Sequence, residues 1–144
     1  MIKLIVGAAG TGKTKTLAQL ANEEIEKTRG HLVYVDYRDG RMLQIDYRIR
    51  YININEYDIL GGQGLYGFIC GVIASNYDIE TIYIDGLYRV INMESNDSEE
   101  FFKKLSSISS RYDVNFVITI GCDKEDLPEY LETYQSVGCT GDGS

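Results

Sequence analysis

Short apolar runs alternate along this chain with longer stretches whose apolar residues recur at helical spacing. KLIVG at 3–7 reads as a strand, and residues 13–28 as a helix with Leu17, Leu20, Ala21 and Ile25 on one face. LVYVD at 32–36 is rich in β-branched and aromatic residues and predicts a second strand. Residues 37–50 are polar and arginine-bearing, a loop with room for a short strand at Met42–Asp46, and YINI at 51–54 predicts a third strand. Residues 65–76 are apolar nearly all round, the pattern of a buried helix, and TIYID at 81–85 suits a strand buried on both faces. Ser98 to Tyr112 predicts an amphipathic helix with Phe101, Phe102, Leu105 and Ile108 inward, followed by a strand at 115–120. Pro128 opens a predicted last helix over Leu127–Tyr134. This alternation predicts an α/β fold: a three-layer sandwich around a mainly parallel five-stranded sheet. One domain is expected over residues 1–137, with 138–144 a flexible polar tail.

Composition narrows the classes. A chain of 144 residues with 44% hydrophobic and 25% charged positions has the make-up of one ordinary globular core. Net charge is −8, unevenly spread: residues 1–50 carry nine Lys/Arg against six Asp/Glu, residues 51–144 five against sixteen. Such an acidic surface repels phosphodiester backbones and disfavours nucleic acid as a partner. Leu65 to Ala74, the longest apolar run, is too short to span a bilayer, so no membrane association is expected. Cys70, Cys122 and Cys139 have no metal-type spacing, and a reduced cytoplasmic setting is the simplest expectation.

The chemistry concentrates in G-A-A-G-T-G-K-T at 7–14, which fits the phosphate-binding pattern G-x-x-x-x-G-K-[ST] at every fixed position. Gly7, Gly10 and Gly12 are expected to adopt positive φ and let the backbone approach an anion. The N–H groups of Gly7, Ala8, Ala9, Gly10, Thr11, Gly12, Lys13, Thr14 and Lys15 would then surround a β-phosphate at a helix amino end. Lys13 adds a mobile positive charge for the β- and γ-phosphates, and the Thr14 hydroxyl offers Mg2+ a ligand. A second metal-side acid should end an apolar strand, and Asp85 does so; otherwise it starts a turn with Gly86.

These features resemble the P-loop NTPase superfamily over residues 1 to about 131, through element order as well as motif. The pattern is most similar to the RecA/AAA-like branch, where another strand lies between the P-loop strand and the strand ending in the acid. The resemblance implies that NFVITIG at 115–121 is that inserted strand, with Thr119 or the residues just after it in a phosphate-sensing place. More narrowly, the chain is similar to short bacterial ATP-binding proteins that consist of little besides this core. ATP with Mg2+ is the implied ligand, and a homo-oligomer or protein partner fits, because related folds often borrow an arginine from the next subunit.

The chain also departs from that pattern. Many members of the branch carry a glutamate directly after the strand-end aspartate; here it is Gly86. RecA-like members instead place the acid at the end of the strand after the P-loop helix, where Asp36 stands with Asp39 nearby. Asp36 is thus the candidate general base, with a shorter reach than glutamate; its plainer reading is a strand-end turn residue. Arg38, Arg41, Arg48 and Arg50 fit a solvated loop paired with Asp36, Asp39 or Asp46 better than phosphate contacts, a closing lid or arginine fingers to a neighbouring subunit. GGQG at 61–64 lacks a following lysine and reads as a hinge or helix start rather than a second anion loop. Tyr37, Tyr57, Tyr66 and Tyr88 fit either an exposed patch or adenine stacking. Slow or partner-stimulated ATP hydrolysis is the leading expectation, ahead of a non-hydrolysing regulatory module and a small nucleoside or metabolite kinase.

Overall fold

The structure is a computed structural model and describes residues 1–38 and 44–138. Among these residues six strands form one sheet: β1 (Ile2–Val6), β2 (His31–Asp36), β3 (Arg50–Asn53), β4 (Ile79–Asp85), β5 (Asn115–Ile120) and β6 (Gln135–Gly138). Their order is β3-β2-β4-β5-β1-β6, and every neighbouring pair is parallel. The class is therefore α/β as expected, but with six strands instead of five. The extra one, β6, pairs outside β1 through Lys3↔Gln135 to Val6↔Gly138. QSVG is short, mostly polar and exposed, so no alternation of buried positions marks it as a strand.

Among the described residues three helices cover the sheet: α1 (Lys13–Glu24), α2 (Gly61–Ser75) and α3 (Asn96–Tyr112). Strand side chains alternate between two faces. Leu4, Val33, Val35, Ile82, Ile84, Phe116 and Ile118 pack with α2 and α3, whereas Ile5, Leu32, Tyr34, Tyr83 and Val117 pack with Leu17 and Ala21 of α1. The periodic residues do what their spacing predicts, since Phe101, Phe102, Leu105 and Ile108 are all buried.

Other boundaries moved. The segment 127–134 is no helix; two short 3-10 turns at Lys124–Asp126 and Glu129–Leu131 carry the chain across α3, where Tyr130 and Tyr134 meet Phe102 at 6.1 and 6.0 Å between ring centroids. Helix α2 begins at Gly61, so GGQG is its first turn, and the Asp97 carboxylate lies against Gly62. A carboxylate already stands at that amino end, which disfavours a second anion loop there. Of the short strand expected at Met42–Asp46, Met42 and Leu43 lie outside the described residues, and Gln44 to Asp46 form none. Asn22 of α1 instead holds this stretch through the Gln44 carbonyl and the Asp46 N–H, both at 2.9 Å. Among the described residues, no helix is long and apolar enough to cross a membrane.

Candidate functional site

In a parallel sheet with helices on both faces, ligands collect beyond the carboxyl ends of the strands. Here those ends carry the loop after β1 together with Asp36 on β2, Asp85 on β4 and Thr119 on β5. The register explains the grouping. Asp36 is paired with Asp85, and β5 lies between β1 and β4, the place the resemblance implies for it. Asp36 follows Tyr34 by two residues, and Asp85 follows Tyr83 by two, so both acids belong to the α1 face.

Residues 7–12 lead from β1 directly into α1. The Gly7 N–H donates to the Ile120 carbonyl at 3.1 Å, tying the loop to β5. Gly10 and Gly12 have φ of +80° and +85°, in the left-handed region that glycine enters without steric cost. Gly7 does not share that conformation, contrary to expectation. The Ala8 carbonyl gathers three donors: the Thr11 N–H at 3.3 Å, the Thr11 hydroxyl at 2.6 Å and the Lys13 ammonium at 3.0 Å. Lys13 is thus folded across the loop onto a neutral oxygen, and among the described residues no carboxylate pairs with it. Gly121, just after β5, lies beside the end of the Lys13 side chain. Thr14 stands in the first turn of α1, half-buried.

Asp85 is 2% exposed and Thr119 holds it in place. The Thr119 hydroxyl donates to Asp85 Oδ1 at 2.8 Å and accepts from the Gly86 N–H at 3.4 Å. That leaves Asp85 Oδ2 buried with no hydrogen-bond partner, which is unusual for a carboxylate and suits a cation or its water. The Tyr34 hydroxyl is also buried and without a partner. Burial, reinforced by the charges of Asp85 and Asp36, raises its pKa and keeps it protonated. Among the described residues no three His, Cys, Asp or Glu side chains cluster as a metal cage. A nucleotide-bound Mg2+ takes most of its ligands from phosphate and water, so one hydroxyl and one carboxylate fit it. Thr119, given a phosphate-sensing place by the resemblance, positions Asp85 in this arrangement.

Asp36 is 1% exposed, and each of its oxygens accepts one bond. Oδ1 takes the Arg38 N–H at 2.7 Å, the strand-end turn of the plainer reading, and Oδ2 takes the Tyr51 hydroxyl at 2.6 Å. Burial raises its pKa, while the bonds from Tyr51 and Arg38 pull the other way and the Asp85 charge adds to the rise.

The four arginines of segment 38–50 divide. Arg48 bonds Asp46 and Glu26, the solvated pairing expected of it. Arg50 begins the edge strand and is exposed, and Arg41 lies outside the described residues with Asp39. Arg38 behaves differently: its backbone N–H goes to Asp36, but its guanidinium donates to the Thr14 hydroxyl. No periodicity could have signalled that contact, which joins residues 24 positions apart. Gly86 makes room for it. Its φ is +86°, and a Cβ there would lie 3.0 Å from both Arg38 Cγ and Tyr37 Cβ. A glutamate at this position would be strained in backbone and short of space.

The tyrosines do not form one patch. Tyr37 is core, with its hydroxyl pushed up to about 12 by burial, Tyr66 is half-buried, and Tyr57 and Tyr88 are exposed. Arg89 stacks over Tyr88 at 5.9 Å and feels the charges of Asp36 and Asp85, whereas Arg111 stacks over Tyr112 near the amino ends of the strands. No protein-family model matches the sequence, and no curated protein matches it.

Proposed function

We propose that this chain binds a nucleoside triphosphate, ATP with Mg2+, through the loop at residues 7–15, and hydrolyses it slowly or when a partner stimulates it. The observation that carries this reading is the loop itself. Two positive-φ glycines deliver Lys13 and Thr14 to the first turn of α1, at the carboxyl end of the sheet, where the buried Asp85 keeps one oxygen without a partner. Backbone N–H groups at a helix amino end favour a phosphate, and Lys13 has a neutral carbonyl to exchange for one. Thr14 and Asp85 would hold the metal, which neutralises charge developing on the transferred phosphoryl group. Asp36 is the candidate base, acting through the second lone pairs of its oxygens.

The crowding at Gly86 and the bonds already made by Asp36 favour a low basal rate, and they are what supports the second reading, a module that binds without hydrolysing. Phosphate release from Mg-ATP separates the two, measured on the purified chain beside a Lys13→Ala control. Release that disappears in the control supports hydrolysis. Equal release in both removes it for the isolated chain, and a binding titration then decides whether the module reading stands.

A further inference from the structure

We infer that Arg38 is a specificity-determining residue that reads the terminal phosphate of the bound nucleotide from within the same chain. This rests on the nucleotide reading above and adds to it a residue that belongs to no part of the loop motif. Three observations carry it. The Arg38 guanidinium bonds the hydroxyl of Thr14, the oxygen that reading gives to Mg2+. Its backbone is fixed from behind, because Asp36 Oδ1 accepts the Arg38 N–H at 2.7 Å while Asp36 Oδ2 is held by Tyr51 at 2.6 Å. Its stem crosses Gly86, a left-handed glycine where a Cβ would meet Arg38 Cγ at 3.0 Å.

The electrostatics follow from the shared oxygen. A guanidinium and a dication on one hydroxyl would repel each other, so the guanidinium would leave Thr14 when that hydroxyl holds a metal. The fixed backbone confines where it can go. The strongest acceptors within reach of an arginine anchored beside Thr14 are the outer phosphate oxygens, which match its planar fork. A diphosphate lacks the last of these groups. Arg38 therefore favours triphosphate over diphosphate, and its partners Asp36 and Tyr51 are positioning residues for that preference. Arg48, in the same segment, is held by Asp46 and Glu26 and has no share in it.

The test compares Mg-ADP with the Mg complex of a non-hydrolysable β,γ-imido ATP analogue by calorimetric titration of the full chain. Wild type, Arg38→Ala, Arg38→Lys and Arg48→Ala are titrated in parallel. Arg38→Ala should weaken the triphosphate analogue about tenfold or more and leave Mg-ADP within about twofold, as expected for one charge-assisted contact. Arg38→Lys should recover part of the loss, and Arg48→Ala should match wild type. Equal weakening of both nucleotides, no weakening of either, or the same effect from Arg48→Ala would overturn the inference while leaving nucleotide binding intact. A wild-type chain that binds neither nucleotide defeats the nucleotide reading itself, and Arg38 with it.

Discussion

The two faces of the sheet are built from alternate residues of the same strands, yet they do different work. On the side of α2 and α3 the buried strand residues are aliphatic or phenylalanine, and the core there is closed by Phe102, Leu105, Ile69 and Leu131. On the side of α1 the same strands present Tyr34, Tyr83, Asp36, Asp85 and Thr119. Tyr34 lies between Tyr51 and Tyr83 in register, with ring centroids 5.9 and 6.2 Å away, so an aromatic row underlies the polar edge. Candidate chemistry therefore collects on one face because strand side chains alternate with period two and the glycine loop opens into the helix covering that face. Among the described residues, the other face carries none of the candidate site side chains.

This contrast can be broken experimentally. The largest expected effect lies on the aliphatic side: Phe102→Ala should cost about 3–5 kcal/mol in denaturant unfolding while the folded protein keeps its nucleotide affinity. A comparable loss of affinity at saturating fold would mean the faces are not separable. Lys13→Ala should do the reverse, lowering Mg-ATP affinity by about 10- to 100-fold with stability changed by less than about 0.5 kcal/mol. Gly86→Glu, which supplies the acid carried by many members of the branch the chain resembles, should lose about 1–3 kcal/mol of stability through backbone strain. No gain in phosphate release is expected from it; a faster rate would show that the turn accommodates the side chain.

The smallest effects sharpen the contrast within the α1 face. Tyr51→Phe should cost about 1 kcal/mol and move the Asp36 titration further upward, as read by NMR of the carboxyl carbon, because it removes a bond that favours the carboxylate. The sign for pH follows from the raised pKa. Between the ordinary aspartate value and the raised folded value, the native state binds more protons at Asp36 than the unfolded chain does. The Asp36 contribution to stability is thus greatest below the unfolded pKa and is lost as pH rises through the folded one. Asp36→Asn should remove that slope from a series of unfolding curves; an unchanged slope would assign it to other groups.

How much of this was legible beforehand varied with the range of the interaction. β5 is legible at its observed bounds, Asn115–Ile120, because a strand buried on both faces is an apolar run. β6 is not, because an exposed edge strand buries little and QSVG carries no pattern. Helix α2 reads as buried nearly all round, and Gly67 and Gly71 lie within that apolar run. In the structure a Cβ at either would meet nothing within 4 Å, so these glycines face outward. A helix without charges looks the same in sequence whichever side it turns to the core.

The alternation of elements, the α/β class and the glycine loop at 7–14 can be read from the chain alone, since each rests on short-range geometry: period two, period 3.6, and glycine where φ is positive. What the chain alone does not show is that a further strand pairs outside β1, that Asp36 and Asp85 are register partners, and that Arg38 reaches Thr14. Those contacts join residues 24 or more positions apart and depend on which strands pair. Strand order is chosen by the packing of the whole sheet, to which a local pattern is blind.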